Sequence, residues 1–373
     1  MSKQLSTILS TTVALLGQFQ DALSATSAAG RAETPKDAEA LPLLSASSAA
    51  LKAQVTKLSL LAISSPFTHT AVTGVIRDLN DSVLPSLVTA ALLVTPTQYT
   101  KAFHSEILVL SKTALTELST LVQEVQRVAD QKDRAKKENP AKKEAELTQF
   151  EKDAVTLATG RVWDACETVT DVATKGVVGF VMRRVEQWRD LVRDAIEEIE
   201  EWDPNEEGDA FFDDLMGDDD AKARDDDSED DDEDTAASHE QKKSTIRFLK
   251  PIAQVYPAII NNRLKKAGTT PSSSLSGVTR LQSLMASLQP IPDHVDEAAG
   301  ALYEANLAKS ARFLVRTKKC AVQAVNVVMA PWDAANGANG QTQAEDKFTV
   351  WSKTWLKVVD EVSKPIDAAA GPE

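Results

Sequence analysis

Between Asp203 and Asp234 the chain places 18 acidic residues among 32, with only Lys222 and Arg224 to offset them. Like charges at that density repel one another. The run DDDAKARDDDSEDDDEDT also offers almost nothing apolar to bury, so this segment cannot belong to a packed core. Without it the chain is close to neutral, with 39 Lys and Arg against 38 Asp and Glu. The 373 residues therefore read as two folded parts, 1–202 and 238–373, joined by a disordered acidic linker over 203–237. Two parts also agree with the usual size of about 100–200 residues per domain.

Both parts carry the 3.6-residue apolar period of helices. A hydrophobic content of 42% with 5% aromatics and 14 glycines suits cores packed from Leu, Val and Ala. The clearest stripe is Ile107, Leu108, Leu115, Leu118, Leu121, Val122, Val125 and Val128, one face of a helix from about Thr97 to Asp133, with Lys112, Glu117, Glu124 and Arg127 opposite. Helices are also expected at Ser2–Thr26, Ala46–Ser64, Phe67–Val94 with a bend at Pro85, Thr148–Lys175, and Val177–Trp202 closed by Asp203-Pro204. Phe150 and Leu191 are assigned to the apolar faces of the last two. Beyond the linker, His239–Lys266 should be kinked by Pro251 and Pro257, followed by Leu275–Leu288, Pro292–Met329 and Gln343–Ser363. No period-two β-branched run reaches strand length. The expected fold is all-α, two up-and-down helical bundles joined by the acidic loop, with the N-terminal core centred on Trp163, Trp188 and the Ile107–Val128 stripe.

Cys166 and Cys320 are too few for a disulfide framework or a zinc site and read as small buried hydrophobes. The longest apolar stretch, Val83–Val94, contains Pro85 and is too short to span a bilayer. The first 27 residues resemble a secretory signal faintly, but Leu5, Ile8, Leu9, Leu16, Phe19 and Leu23 recur at near-helical spacing, so a helix is the preferred reading. Among the four histidines, His69, His104, His239 and His294, no two share the i, i+4 spacing of a helical metal site. Glu197, Glu198, Glu200 and Glu201 read as a solvated helix end, and the Asp triplets at 218–220 and 225–227 lack the glycine and glutamate spacing of an EF-hand. No phosphate-binding loop or nucleophile motif is present in the sequence. The expectation is a protein without catalytic residues, metal or cofactor.

Lys132, Arg134, Lys136, Lys137, Lys142 and Lys143 form the best basic cluster, read as a solvated linker with a nuclear-import signal as its rival, and Lys242, Lys243 and Arg247 form the next. The acidic segment competes with phosphate for both, which argues against direct nucleic-acid binding. Inside it, Phe211, Phe212, Leu215 and Met216 make an apolar knot that either docks on the protein's own bundle or presents a linear motif to a partner. Ser228, followed by Glu229, Asp230 and Asp231, has the surroundings of an acidophilic-kinase site.

The order of Val162-Trp163-Asp164-Ala165-Cys166, Lys175-Gly176-Val177-Val178 and Val192-Arg193-Asp194-Ala195 with Asp203-Pro204, then an acidic loop, resembles the cyclin D-binding protein family (GCIP-like proteins). Val295-Asp296-Glu297-Ala298 and Leu302-Tyr303 extend the likeness into the C-terminal part. The family-like positions are Trp163, Cys166, Asp194, Asp203 and Pro204. The resemblance implies a non-enzymatic, all-helical adaptor of nucleus and cytoplasm that binds partners such as cyclins or transcription factors and restrains the cell cycle and transcription. The family's leucine-zipper description fits less well, because the Ile107–Val128 stripe is explained as a bundle face. With basic protein segments as further partners for the loop, and no membrane contact, this is the expected function. A cytoskeletal or scaffold bundle of vinculin or α-catenin type is the alternative.

Overall fold

The computed structural model describes residues 3–26, 39–138, 146–204, 228–268, 274–332 and 345–371, and all its elements are helical. By contacts the chain divides into a first unit, Met1–Phe180, and a second, Val181–Glu373.

The first unit is an all-α bundle of α1 (Lys3–Thr26), α2 (Ala40–Ile63), α3 (His69–Asp78), α4 (Leu84–Leu93), α5 (Lys101–Glu138) and the opening part of α6 (Gln149–Glu201). All eight residues of the Ile107–Val128 stripe are buried, which drives α5 against α1 and α4; burying one such side chain is worth about 1.5–3 kcal/mol. The polar edge of that seam is tied by Gln20 Nε2 donating to Thr116 Oγ1 (3.0 Å) and Lys112 Nζ to Ser24 Oγ (2.9 Å). The bend expected near Pro85 is a π-turn over Leu79–Val83, in which the N–H of Leu84 reaches back to Leu79 O. One residue later the proline has no N–H to offer, so the looser turn precedes it.

The break expected at Gly176 is present inside α6, where that residue takes φ 63° and ψ −170°, a backbone state nearly closed to side chains with a Cβ. From Val181 onward α6 belongs with the second unit. There it joins α7 (Ser228–Ala253), α8 (Val255–Ile259), a π-turn at Ile260–Leu264, α9 (Lys265–Ala267), α10 (Leu275–Leu288), α11 (Pro290–Tyr303), α12 (Leu307–Val327), α13 (Lys347–Val362) and α14 (Lys364–Ala370). Helix α12 packs against α10, α11 and α14 and is the axis of this second bundle.

Several expectations need correction. Pro292–Met329 is not one helix: it stops at Tyr303 and restarts at Leu307. Ala305 has φ 54°, and the N–H groups of Ala305 and Asn306 close back on Leu302 O (3.1 Å) and Ala301 O (2.8 Å), the Schellman closure. Asn306 then caps α12 through Lys309 N–H (3.1 Å). Helix α7 begins at Ser228, within the acidic run; acidic residues in the first turns of a helix complement its positive N-terminal dipole. Trp163 and Trp188 are only half-buried, while Phe150 and Leu191 are exposed, so the core rests on aliphatic side chains. Lys132, assigned to a solvated loop, is buried on α5, which runs on to Glu138.

Candidate functional site

The Trp163–Cys166 motif lies on α6 where it meets α2. Ser48, buried on α2, donates through Oγ to the carbonyl of Cys166 (2.9 Å). A hydroxyl of this kind lets two helices approach closely while its own polarity is satisfied. The Cys166 thiol is itself buried, and that burial pushes its pKa up to about 11, so at neutral pH it is a protonated packing group and not a nucleophile. On the rim of the same seam Lys52 pairs with Glu167 and lies 5.5 Å from the Trp163 ring centre. The indole Nε1 of Trp163 is buried with no hydrogen-bond partner among the described residues.

Upstream on α6 the first turn is fixed by a reciprocal cap. Thr148 N–H donates to Glu151 Oε2 (2.7 Å), and Glu151 N–H to Thr148 Oγ1 (3.4 Å). The Thr148 hydrogen bonds hold the Glu151 carboxyl below its usual pKa. On that fixed turn Phe150 is 83% exposed, and Leu157, two turns further along the same side, is 61% exposed. Large apolar side chains of this kind, on an ordered helix and facing water, are anchors available to a partner.

The remaining family-like residues sit at the end of α6 in the second unit. Asp194 is exposed and pairs with Arg193 (3.2 Å). Helix α6 ends at Glu201, ahead of Asp203 and Pro204, and the Trp202 ring lies 5.0 Å from that of Tyr303. Lys242 is no free solvated cation: its Nζ donates to Glu200 O (3.0 Å) and to Trp202 O, closing carbonyls that the helix leaves open. Lys250 pairs with Glu200 (2.8 Å), so part of the Glu197–Glu201 cluster is neutralised. Lys243 and Arg247 are exposed. Phe211, Phe212, Leu215 and Met216 lie outside the described residues, and Ser228 is the first residue of α7.

Two arginines that no motif singles out organise the second unit. Arg263, 3% exposed, donates to Val328 O (2.7 Å), Met329 O (2.6 Å) and both carboxylate oxygens of Asp346 (2.5 and 3.1 Å), and it stacks 4.4 Å from the Phe348 ring. Arg280 donates to Val327 O, Ala330 O and Pro331 O and lies 4.4 Å from the Trp332 ring. Trp332 Nε1 in turn donates to Arg263 O (3.0 Å). Together they close the C-terminal end of α12, while Asp346 caps α13 through Thr349 N–H (2.8 Å). The hydrogen bonds from Arg263 hold the Asp346 carboxyl well below the usual carboxylate range.

His104 donates to Val94 O (2.5 Å), and His69 lies 3.0 Å from Asp133. Among the described residues no group of three or more His, Cys, Asp or Glu is placed to hold a metal, and no helix is long and apolar enough to cross a membrane. The geometry is that of packed helix faces. Residues 43–205 match the family model for the Grap2 and cyclin-D-interacting N-terminal domain. Over that stretch the chain is similar to the N-terminal domain of the GCIP family. The matched GCIP domain runs from α2 to the end of α6 and contains Trp163, Cys166, Asp194, Asp203 and Pro204, the residues on which the resemblance was based, together with the exposed Phe150 and Leu157. It stops where the acidic segment begins. No curated protein matches the chain.

Proposed function

We propose that this chain is a non-enzymatic helical adaptor that binds a D-type cyclin, or a partner of the same regulatory class, through the exposed face of α6 in its GCIP domain. Binding of this kind restrains the cell cycle or transcription by occupying the partner, and it places the protein in cytoplasm and nucleus. Neither nucleic acid nor membrane is a partner in this reading. One observation carries the choice of surface: Phe150 and Leu157 stand exposed two turns apart on a turn pinned by the Thr148–Glu151 cap. A rigid aromatic anchor loses little freedom when it is buried by a partner, which is the physical profile of an interface hot spot.

The test is titration of purified full chain against a purified D-type cyclin, with Phe150→Ser and Leu157→Ser made singly and together. Each exposed anchor, if central, should weaken binding by about 2 kcal/mol, roughly thirtyfold. Melting temperature should stay within a degree or two, because neither side chain is in the core. Wild-type affinity in the double variant would move the interface off this face; no binding by wild type at micromolar concentrations would remove cyclins as the partner class.

A further inference from the structure

Helix α12 carries five basic residues, Lys309, Arg312, Arg316, Lys318 and Lys319, and no Asp or Glu. Lys318 is committed to Asp360 (3.2 Å) and Asp367 (3.1 Å), and Lys309 faces Glu304 at 3.9 Å. Arg312, Arg316 and Lys319 are exposed, recur at i, i+4 and i+7 on one side of the helix, and have no carboxylate within ion-pair distance among the described residues. Beside them a groove of about 710 Å³ is lined by Val315, Val322, Lys319 and Asp367. Lys319 stands on the groove itself and Arg312 and Arg316 precede it along the same side of the helix, a combination that suits an occupant both acidic and apolar.

The chain supplies such a segment within reach. Residues 205–227 hold eleven acidic and two basic side chains, and Phe211, Phe212, Leu215 and Met216 among them. The described chain that flanks this stretch packs on the α11–α12 region. Before it, Trp202 rests on Tyr303 at 5.0 Å, four residues ahead of the start of α12; after it comes α7, which packs on α12. From Leu307 to Lys319 is about 18 Å of helix at 1.5 Å per residue. A random-coil chain of 23 residues has a root-mean-square span of about 25 Å. We infer that the basic face of α12 is the docking site of the chain's own acidic segment, residues 205–227, with carboxylates on Arg312, Arg316 and Lys319 and the Phe211–Met216 knot over Val315 and Val322.

A segment tethered in this way competes with any acidic peptide added in solution. With an effective concentration on the order of 1 mM, it should weaken a free peptide of about 100 µM Kd roughly tenfold. The experiment uses full chain, a variant with 205–227 replaced by a Gly/Ser stretch of equal length, and a fluorescent synthetic peptide of 205–227, read by anisotropy at low salt. The replaced variant should bind the peptide, and wild type should bind it about tenfold more weakly. Adding Arg312→Gln, Arg316→Gln and Lys319→Gln to the replaced variant should abolish binding, as should 0.5 M salt, with circular dichroism confirming that the helices persist. Equal binding by wild type and the replaced variant, or undiminished binding after the three glutamine changes, overturns the proposal. Capture of a short DNA duplex but not the peptide by the replaced variant also overturns it and makes the face a nucleic-acid surface. None of these outcomes involves the cyclin, so this inference and the proposed function fail independently.

Discussion

In the first unit the end of α4 is met by one imidazole, His104 donating to Val94 O at 2.5 Å; in the second, the end of α12 is met by two guanidinium groups that reach Val327 O, Val328 O, Met329 O, Ala330 O and Pro331 O. The first bundle thus rests chiefly on aliphatic burial, with its polar contacts spread over separate pairs such as His69–Asp133 and Lys52–Glu167. The second gathers its polar contacts on one buried guanidinium whose partners lie far apart in the chain, with Arg263 and Asp346 separated by 83 residues. A fold of the first kind yields gradually when side chains are trimmed. One of the second kind has a single point whose removal exposes several carbonyls and a carboxylate at once.

The largest effect should follow from Arg263→Ala. Removing one partner of a buried pair costs about 3–5 kcal/mol, and here the carbonyls of Val328 and Met329 also lose their donor. Arg263→Lys should recover little, since an ammonium group cannot form the fork that spans both oxygens of Asp346. Urea unfolding followed by tryptophan emission reads the second unit, because of six tryptophans only Trp163 lies in the first. A loss under 1 kcal/mol would mean that the aliphatic core, and not the arginine, holds this unit together.

In the first unit the matching change is Leu118→Ala, at the centre of the fully buried α5 stripe. Its cost should be about 2–5 kcal/mol, depending on how far the neighbours close the gap. Lys112→Ala, on the exposed side of the same helix, should stay within about half a kcal/mol of wild type. Equal effects at the two positions would remove the distinction between a buried and a solvated face.

These contrasts also mark what the sequence could reveal. Apolar period, proline and glycine are local signals, and they placed the α5 stripe, the turn before Pro85 and the break at Gly176. The order of Trp163, Cys166, Asp194 and Asp203-Pro204 pointed to the family that the 43–205 match bears out. The stop at Tyr303 had no such signal, because an alanine occupies the left-handed position where glycine would announce it. The exposure of Phe150 was hidden for another reason: it follows the Thr148 cap closely, so its side is set by where the helix starts and not by the period downstream. Arg263 was missed because hydropathy assigns every arginine to water, and only the fold brings Asp346 to it. For Lys242 the sequence showed charge, while its work at the end of α6 depends on a helix 40 residues away.

A smaller effect tests the ionic character of the second unit directly. Because Asp346 titrates below its ordinary value when folded, its contribution is fully present above the unfolded pKa of about 3.9 and is lost as pH falls through the folded value. Asp346→Asn should cost about 1–3 kcal/mol at pH 7, the worth of hydrogen bonds to a charged group. The gap from wild type should shrink as pH falls below about 4, because the unfolded wild-type chain then takes up a proton that the native carboxyl, still charged, does not. A gap that stays constant down to pH 2 would show that the two differ by shape and not by charge.

Both units place residues in the left-handed half of backbone space, Gly176 in the first and Gly268, Ala305 and Gly371 in the second, and there the comparison is sharpest at the smallest energies. Gly176 in the first adopts φ 63° and ψ −170°, where any side chain costs about 1–3 kcal/mol, so Gly176→Ala should destabilise by that amount although its Cβ would meet only Leu41 at 3.8 Å. Ala305 in the second already bears the strain at φ 54°, worth about 1–2 kcal/mol for an L-residue. Ala305→Gly relieves it, but glycine's greater freedom in the unfolded chain takes back about 0.4–1 kcal/mol. The net gain should be a few tenths to about 1 kcal/mol, seen as a small rise in melting temperature with the denaturant slope unchanged. Opposite signs at the two sites would establish that both turns are held by backbone geometry. A loss at Ala305 would instead show that its methyl group packs, and that the Schellman turn between α11 and α12 is held by that contact.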